Sequence, residues 1–326
     1  MAHRKVEEEI ARLSLLREAG AASAAGALRK ALADRVNLVV AKAAKLAAEM
    51  QIRDLVPDLL RAFDRLMENA AERDPQCWGK NAVANALKDL DHRESAAFMR
   101  GMRHVQMEAV WGGRQDTAQT LRGICLLALP TCADLRRSEI LRCLVDALAD
   151  AEQVVRVEAV RALAQMEGDE CALLLRLKAH AGDKEAAVAG QVFDALLTVE
   201  RDEALPFVGA FLGAANEEVR QEAALALGSS RLPGAVDLLE HAWTHNPRDP
   251  QLREALLRAL SASRQPRAIE FLLDLLKKGR ERETAAALEA LAIHRHSPEI
   301  RRQVQEAVSA LAQSVRAQFE RLFATD

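Results

Sequence analysis

The chain has 326 residues, of which 50% are hydrophobic, 29% are charged and only 3% are aromatic, and it contains no tyrosine. Its 45 basic and 48 acidic side chains give a net charge of −3, which disfavours a dedicated nucleic-acid-binding protein because such proteins usually carry a clear basic excess. The five cysteines form no CxxC pair, so we expect reduced, mostly buried thiols and not disulfides or a metal site.

Residues 1–20 predict an N-terminal lead-in helix, over roughly residues 3–18, with charged and apolar side chains at helical spacing. This charged, amphipathic start does not fit a signal peptide, and no apolar stretch reaches the length of a membrane span. We therefore expect a cytoplasmic, monomeric protein that does not enter a membrane. No sequence pattern predicts a bound cofactor.

Residues 21–130 predict the irregular first part of a helical repeat array. Three stretches, at residues 39–47, 79–87 and 121–129, place alanines and aliphatic side chains at helical spacing. Their starts lie 40 and 42 residues apart, which is farther than in the following part of the chain. The first part of the array is therefore expected to contain insertions.

Residues 131–295 predict a regular array, because five nine-residue stretches can be superimposed on one another. They begin at residues 155, 188, 219, 252 and 283, so their starts are separated by 33, 31, 33 and 31 residues. A fixed period in this range indicates a solenoid, in which each repeat buries its apolar face against its neighbours. Alanines in these stretches, such as Ala159, Ala223 and Ala226, are expected to be buried where helices pack closely.

The predicted fold class is all-α: a right-handed α-solenoid of about eight helix pairs, with essentially no strand. In each pair a leucine-rich helix A precedes a helix B that contains the repeated stretch. Prolines occur where helix A should begin, a position that tolerates the missing N–H. These prolines are Pro57, Pro206, Pro233 and Pro266. Residues 296–326 predict a C-terminal capping helix, over roughly residues 298–323, that closes the array.

The repeated stretch follows the pattern V-R-x-x-A-x-x-A-L, which is complete at residues 219–227. Over roughly residues 22–295 the chain resembles the HEAT-repeat family, in particular its short bacterial PBS-lyase-like type. The resemblance implies a helical solenoid, but such repeats serve as protein-interaction scaffolds, bilin lyase subunits, DNA glycosylases and a di-iron hydroxylase. It also implies that Arg156, Arg220 and Arg253, with Arg122 as a weaker match, form a ladder in which each arginine pairs with an acidic or amide residue of the same or the adjacent repeat. Glu152 and Asp249, four residues before an arginine, are candidate acids.

The longest break in the repeat lies at residues 103–117, between helix A and helix B of the third pair. Other links between the two helices need only a few residues, and irregular segments longer than a connection requires are often functional. This insertion contains Trp111 and the pair Gly112 and Gly113, which frees the backbone for a positive φ angle. Trp111 is predicted to be partly accessible at one rim of the groove, as part of a partner site. The alternative is that Trp111 is buried as a structural plug and that Asp116 or Thr117 caps helix B.

We predict a partner-binding site that combines this insertion with the start of helix B one repeat earlier, since consecutive B helices stack side by side. The side chains supply charge, hydrogen bonding and one flat apolar face. They are Lys80, Asn81, Arg103, His104, Glu108, Trp111, Arg114 and Asp116.

Other candidate sites are less well supported by the sequence. Gly79 and Lys80 lack the remaining residues of a phosphate-binding loop. His241 and His245 lie four residues apart on a helix but have no evident third metal ligand, so exposed histidines are the favoured interpretation. The hydroxylase relatives carry repeated His-Glu pairs, and this sequence contains no His-Glu dipeptide.

The favoured function is a non-enzymatic scaffold that binds a protein partner along a concave groove lined by B helices. No paired carboxylates, Cys/His pair or metal-binding set occurs at a catalytic spacing. The alternative is a DNA-binding or glycosylase-like protein, for which Trp78, Trp111, Lys80, Arg114 and Asp116 would supply aromatic, basic and acidic groups. For the favoured function, binding to duplex DNA at physiological salt should be no tighter than about 10⁻⁴ M.

Overall fold

The computed structural model describes residues 2–18, 20–246 and 248–324. Helices account for 77% of the chain, so the predicted all-α class is confirmed. The chain divides into two compact units, one ending at Met166 and the other beginning at Glu167. The predicted boundaries after residues 20, 130 and 295 stay predictions, and residues 1, 19, 325 and 326 of the predicted terminal segments lie outside the described residues.

The first unit consists of helices joined by short links and one small sheet. Its α-helices are α1 (Ala2–Ser14), α2 (Ala21–Leu32), α3 (Asn37–Glu49), α4 (Val56–Met67), α5 (Ala70–Arg73), α6 (Trp78–Asp89), α7 (Ala96–Gly101), α8 (Gln119–Ala128), α9 (Arg137–Ala147) and α10 (Gln153–Met166). Its short 3-10 helices are Leu15–Arg17, Arg53–Leu55, Pro75–Cys77 and Leu129–Thr131. The sheet consists of β1 (Met107–Val110) and β2 (Gly113–Asp116).

The second unit consists of helices and the links between them, with no strand among its described residues. Its α-helices are α11 (Asp169–Ala181), α12 (Ala186–Val199), α13 (Leu205–Ala210), α14 (Glu217–Ser230), α15 (Pro233–His245), α16 (Pro250–Ser263), α17 (Pro266–Lys278), α18 (Glu281–Leu291), α19 (Pro298–Ser309) and α20 (Gln313–Leu322). Its short 3-10 helices are Arg201–Ala204, Phe211–Gly213 and Ala292–His294.

Within each unit, helices pack in A/B pairs and the B helices pack against one another. In the first unit α3, α6, α8 and α10 form the B layer, and in the second unit α12, α14, α16 and α18 do so. Every repeated stretch of the sequence lies in one of these helices, except that the stretch at residues 121–129 extends one residue past the end of α8. The predicted packing role of the alanines is confirmed, because Ala159 and Ala223 are fully buried and Ala226 is 3% exposed. The right hand of the array and the number of repeats stay predictions.

The positions of the prolines at the starts of the A helices are also as predicted. Pro57, Pro206, Pro233 and Pro266 each occupy one of the first two positions of an A helix. There the missing N–H leaves no hydrogen bond unmade. The five cysteines are free thiols and are buried, and burial raises the pKa of the Cys77 thiol to about 11.

The prediction of a single closing helix is wrong, because the helix is interrupted between Ser309, where α19 ends, and Gln313, where α20 begins. Helix α20 packs back against α18 and α19, and Phe319 is 8% and Phe323 1% exposed. Burying two phenylalanine side chains in this way is worth about 3–6 kcal/mol, which exceeds the cost of interrupting one helix.

The expectation of essentially no strand also needs correction. Residues 103–117 form a two-stranded antiparallel hairpin, in which Met107 lies opposite Asp116 and Val110 lies opposite Gly113. The hairpin is short, and its strand residues are mostly exposed, so no apolar alternation marks it in the sequence.

Candidate functional site

A two-residue turn, Trp111-Gly112, closes the hairpin between β1 and β2. Gly112, the second residue of this turn, has a φ of 91°, a conformation that residues with a Cβ rarely adopt. A Cβ at Gly112 would meet no atom within 4 Å, so backbone conformation and not crowding requires glycine here. The Gly-Gly pair predicted to permit a positive φ therefore does so at Gly112.

Trp111 is fully exposed, with a relative accessible surface of 102%. It is therefore not a structural plug. Three further apolar side chains of the same segment are partly exposed: Val105 (59%), Met107 (42%) and Val110 (43%). Arg114 is also exposed, and its Nη2 donates to the carbonyl of Met107 at 2.8 Å. The hairpin thus presents an apolar tip with a guanidinium group beside it.

Glu108 fastens the hairpin to the loop that precedes α6. Its Oε1 accepts hydrogen bonds from Gln76 N at 2.7 Å, from Gln106 Nε2 at 2.6 Å and from Thr117 Oγ1 at 2.6 Å. Burial alone would raise the pKa of this carboxyl, but the three donors lower it below its ordinary value. Glu108 is therefore an ionised structural acceptor at the base of the hairpin.

Asp116 holds the other strand, β2, in place through hydrogen bonds within the fold, and its side chain is only 7% exposed. Its Oδ1 accepts from Gln106 N at 3.0 Å and from Ala118 N at 2.9 Å, just before α8 begins. Its Oδ2 accepts from Arg122 Nη1 at 2.5 Å. The alternative in which Asp116 or Thr117 caps helix B is not borne out, because Ala118 is the N-cap of α8 and no side chain caps this helix. The inclusion of Asp116 among partner-contacting residues is wrong, since every one of these bonds lies inside the fold.

The prediction that Lys80 belongs to the partner-binding site is also wrong, because its side chain is completely buried. Its Nζ lies 3.2 Å from Asp74 Oδ2 and donates to the carbonyls of Leu66 at 3.3 Å and Ala70 at 3.4 Å. A buried ammonium needs such partners to offset its lost hydration. Lys80 therefore stabilises the start of α6 and contacts no partner.

Asp74 is the residue at this site that sequence reasoning missed. It is fully buried and accepts hydrogen bonds from the backbone N–H groups of Gly79 and Lys80, both at 2.8 Å, and from Asn37 Nδ2 at 2.9 Å. These bonds cap the N-terminus of α6 from three residues before its nominal capping position. The Asp-Pro dipeptide ahead of a helix was the available signal.

The loop from Asp74 to α6 and the base of the hairpin form one hydrogen-bonded unit. Gln106 Nε2 donates to the carbonyl of Asp74 at 3.0 Å, in addition to its bond with Glu108. Gln76 and Cys77 both have positive φ angles, of 58° and 57°, which non-glycine residues adopt only when surrounding contacts hold them there. The hairpin contacts provide part of that support.

The remaining predicted residues differ in exposure. Arg103 is exposed, whereas His104 is half-buried, with its Nε2 3.1 Å from Gln106 Oε1. Burial lowers the pKa of His104, and the carbonyl of His104 accepts from Arg122 Nη1 at 3.0 Å. Asn81 is half-buried on α6 and makes no contact with the hairpin; it lines a groove beside α3. The structure therefore brings Trp111, Arg114 and Arg103 to the exposed part of the segment and places Glu108 and His104 at its base.

The arginine ladder exists, but its acids come from the following repeat. Arg220 Nη2 donates to Asp249 at 2.8 Å, and Arg253 Nη2 donates to Glu283 at 2.6 Å. Arg122 makes two bonds to Asp150, at 3.2 and 3.1 Å. Of the two predicted sources of the acid, the same and the adjacent repeat, the adjacent repeat supplies it for these arginines; Asp249, four residues before Arg253, caps α16 and binds Arg220. Each such pair joins neighbouring repeats and so helps to fix their register.

The two histidines on α15 stack on each other with ring centroids 3.9 Å apart, and both are exposed. Within the described ranges of the chain, no group of three or more His, Cys, Asp or Glu side chains is arranged to hold a metal ion. Among the described residues, no helix combines the length and the apolar character that crossing a bilayer requires.

Known protein families match the second unit of the chain. Residues 173–250 match HEAT repeats, and residues 252–278 match the PBS lyase HEAT-like repeat. No curated protein sequence matches the chain.

Several solved structures are similar at low sequence identity. Human deoxyhypusine hydroxylase in complex with glycerol is 21% identical, with a TM-score of 0.32, over 77% of this chain and 88% of that chain. The complex of CpcE and CpcF of phycocyanin lyase from Nostoc sp. PCC7120 is 21% identical, with a TM-score of 0.35, over 78% of this chain and 92% of that chain. An engineered protein is 17% identical, with a TM-score of 0.33, over 91% of this chain and 87% of that chain. These scores are too low to support an argument about function. The family matches identify residues 173–250 as HEAT repeats and residues 252–278 as a PBS lyase HEAT-like repeat, which agrees with the helical architecture of the second unit.

Proposed function

We propose that this HEAT-repeat protein is a non-enzymatic adaptor that binds a protein partner, and that the hairpin tip at Trp111 anchors that partner. The observation that carries the proposal is the complete exposure of Trp111 on a hairpin whose base is held by buried polar groups. An exposed tryptophan contributes little to folding, since it removes almost no apolar surface from water. Tryptophan and arginine are the residues most enriched at the energetic centres of protein interfaces.

The charged groups near the hairpin support binding in preference to catalysis. Asp116 and Lys80 are each held in a buried ion pair, and Glu108 accepts three hydrogen bonds. A general acid or base must reach the substrate and change its protonation state at the working pH. These three groups instead form hydrogen bonds or ion pairs within the fold, and the pKa values of both carboxyls are lowered.

The glycosylase-like alternative loses support for the same reason. It requires a carboxylate and a cation beside the aromatic side chains on an open surface. The candidate carboxylate, Asp116, is 7% exposed, and of the two candidate cations Lys80 is 0% exposed whereas Arg114 is exposed. Two of the five side chains of that set are therefore absent from any surface that DNA would contact.

Affinity capture with purified protein tests the proposal. Wild-type chain and the Trp111→Ala variant are immobilised separately, incubated with extract of the native host, and the captured proteins are quantified by mass spectrometry. Loss of a central interface tryptophan usually costs at least about 2 kcal/mol, so the partner should be depleted roughly 30-fold in the variant. The melting temperature should stay the same, because the substitution removes no buried contact.

Leu173→Ala is the matched control. Leu173 is 67% exposed on α11, in the other unit, so this variant also deletes an exposed apolar side chain. It should capture the same proteins as wild type. Equal capture by wild type and Trp111→Ala would refute the proposal. Sub-micromolar binding of the purified chain to duplex DNA at physiological salt, lost in Trp111→Ala, would favour the DNA-binding alternative.

A further inference from the structure

A groove of about 940 Å³ lies between α3 and α6 in the first unit, on the face where these two B helices pack side by side. Its lining includes small side chains, such as Ala41, Ala82 and Ala86, and Ile10 of α1. The wall from α6 is lined by Trp78, Asn81 and Asn85, and the wall from α3 by Leu38, Lys42 and Lys45. The groove is separate from the hairpin tip and has a chemistry of its own.

The two asparagines of the groove are unpartnered within the described part of the chain. Asn85 is exposed and makes no hydrogen bond with the protein, and neither does Asn81. The Oδ1 of Asn81 is moreover shielded from solvent, so this acceptor lacks any donor. A buried polar atom without a partner costs free energy, which is why nearly all such atoms in folded proteins are paired. Rotation about the terminal side-chain bond exchanges Oδ1 and Nδ2, so this amide can turn towards a ligand at no loss of internal bonds.

The spacing of the two amides matches an extended main chain. Asn81 and Asn85 are four residues apart on a helix, so they lie about 6 Å apart along its axis. In an extended chain, backbone groups that face the same side repeat every second residue, or about every 6.6 Å. An amide side chain both donates and accepts, as each residue of a main chain does. One extended segment running along α6 would therefore place successive same-facing backbone groups against both asparagines.

The charges of the groove favour an acidic segment. Both acids in its wall already have cationic partners: Glu49 accepts from Arg17 at 2.5 Å, and Asp89 accepts from Lys88 at 2.7 Å. Lys42 is half-buried and forms no ion pair with the described residues. An ammonium in such a position attracts an anionic group more strongly than one in bulk water, because its surroundings screen less.

Trp78 supplies an apolar contact at one end of the groove and is 55% exposed. Its Nε1 donates to Gln76 Oε1 at 3.3 Å, and Gln76 N donates to Glu108 at the base of the hairpin. The groove therefore ends beside the loop that precedes α6, to which Glu108 at the base of the hairpin is hydrogen-bonded.

We infer that the groove between α3 and α6 binds an extended, acidic segment of a protein partner. The main chain of the segment pairs with Asn81 and Asn85, a carboxylate of the segment pairs with Lys42, and an adjoining side chain packs on Trp78. This inference rests on the proposed adaptor function, but it involves residues other than those at the hairpin tip.

A library of random dodecapeptides displayed on phage, selected on the full chain, tests the inference. Selected peptides should be rich in aspartate and glutamate, and as labelled synthetic peptides they should bind at one site. Asn81→Ala and Asn85→Ala should each weaken binding about 3- to 10-fold, the effect of losing one hydrogen bond. Lys42→Ala should weaken it by a similar factor and also reduce its dependence on salt concentration.

N-methylation of single peptide bonds in a selected peptide tests the extended conformation. Methylation removes one backbone donor, so the affinity should fall at alternate positions, with a period of two residues. A period of three to four residues, set by side chains, would indicate a helical peptide and would overturn the inference. Recovery of no peptide, or of peptides without acidic residues, would also overturn it.

Matched variants locate the peptides and separate this inference from the adaptor function. Gln251→Ala removes an exposed amide from a B helix of the second unit, and Lys30→Ala removes an exposed cation from α2, so neither should change peptide affinity. Equal loss with these controls would place the peptides outside the groove and refute the inference. Trp111→Ala should leave peptide affinity unchanged. If groove variants abolish peptide binding while Trp111→Ala captures every wild-type partner, the adaptor proposal fails and the groove assignment stands.

Discussion

Replacing Asp74 by alanine should destabilise the first unit strongly, because this buried carboxylate has four partners. It forms an ion pair with Lys80 Nζ at 3.2 Å and accepts from Gly79 N, Lys80 N and Asn37 Nδ2. The substitution leaves the ammonium of Lys80 buried with only two backbone carbonyls. It also leaves two N–H groups of the first turn of α6 without an acceptor.

The expected loss in the free energy of unfolding is about 3–5 kcal/mol, the cost of removing one member of a buried ion pair. The missing cap alone would account for about 1 kcal/mol of this loss. Urea unfolding followed by far-ultraviolet circular dichroism measures this loss in the free energy of unfolding. Because repeat proteins can unfold in more than one step, the transition at the lowest urea concentration should shift. Hydrogen exchange at residues 107–116 should also accelerate, since the hairpin base bonds to the carbonyl of Asp74 through Gln106.

Asp64→Ala is the control for losing a carboxylate from the same unit. Asp64 pairs with Arg100 at the surface, where both side chains are at least half exposed, so its loss should cost about 0–1 kcal/mol. The double variant Asp74→Asn/Lys80→Met removes both charges and should be more stable than Asp74→Ala. A loss below 1 kcal/mol for Asp74→Ala would show that the buried pair does not hold this region together.

Two further predictions concern the second unit. Gly228→Ala should lower the free energy of unfolding by about 1–3 kcal/mol, measured by thermal unfolding. A Cβ at this position would lie 2.3 Å from the carbonyl oxygen of Ala259 and would push α14 away from α16. Gly213→Ala is the control and should be neutral, because a Cβ at Gly213 would face open space. Glu222→Gln should raise the melting temperature at pH 7 more than at pH 4, because burial and the neighbouring Asp194 and Glu218 raise the pKa of Glu222. The stability associated with its protonated form is present below the ordinary pKa of 4.5 and is lost as pH rises through the raised value, so an equal gain at both pH values would contradict this explanation.

The repeat period was the part of the fold that sequence could predict well. It depends on local patterns that recur, such as Ala223 at a close helix contact and Pro233 at a helix start. Each of these requirements is set by neighbours on the same helix or on the adjacent one. A period repeated five times therefore indicates the helix pairs without any knowledge of distant contacts.

The hairpin could not be predicted in the same way. Its strands are four residues long and its side chains do not alternate between apolar and polar. The bonds that hold it join Glu108 to Gln76 and Gln106 to Asp74, both across 32 residues of sequence. A local pattern contains no information about such pairs. The insertion was recognisable only because it was longer than a link between two helices needs.

The roles of Lys80 and Asp116 were mispredicted for a related reason. Charged residues are seldom fully buried unless they are paired, so an isolated charge in a sequence is expected at the surface. Lys80 is buried because Asp74 is beside it, and Asp116 because Arg122 is beside it. Asp116 and Arg122 are six residues apart, but only the turn into α8 brings them together. Residue type identified the right region, and the tertiary contacts decided which residues face outwards.

The two classes of residue in this region should differ in what their substitution changes. Binding by a flexible segment loses free energy to ordering, by roughly 0.5–1.5 kcal/mol for each side chain that becomes immobilised. Here Asp116 and Glu108 already fix both strands of the hairpin before any partner binds. Substitutions at this base should therefore weaken folding and partner binding together, because they disorder the tip. Substitution of Trp111 should weaken binding alone, because no contact of the folded chain depends on it.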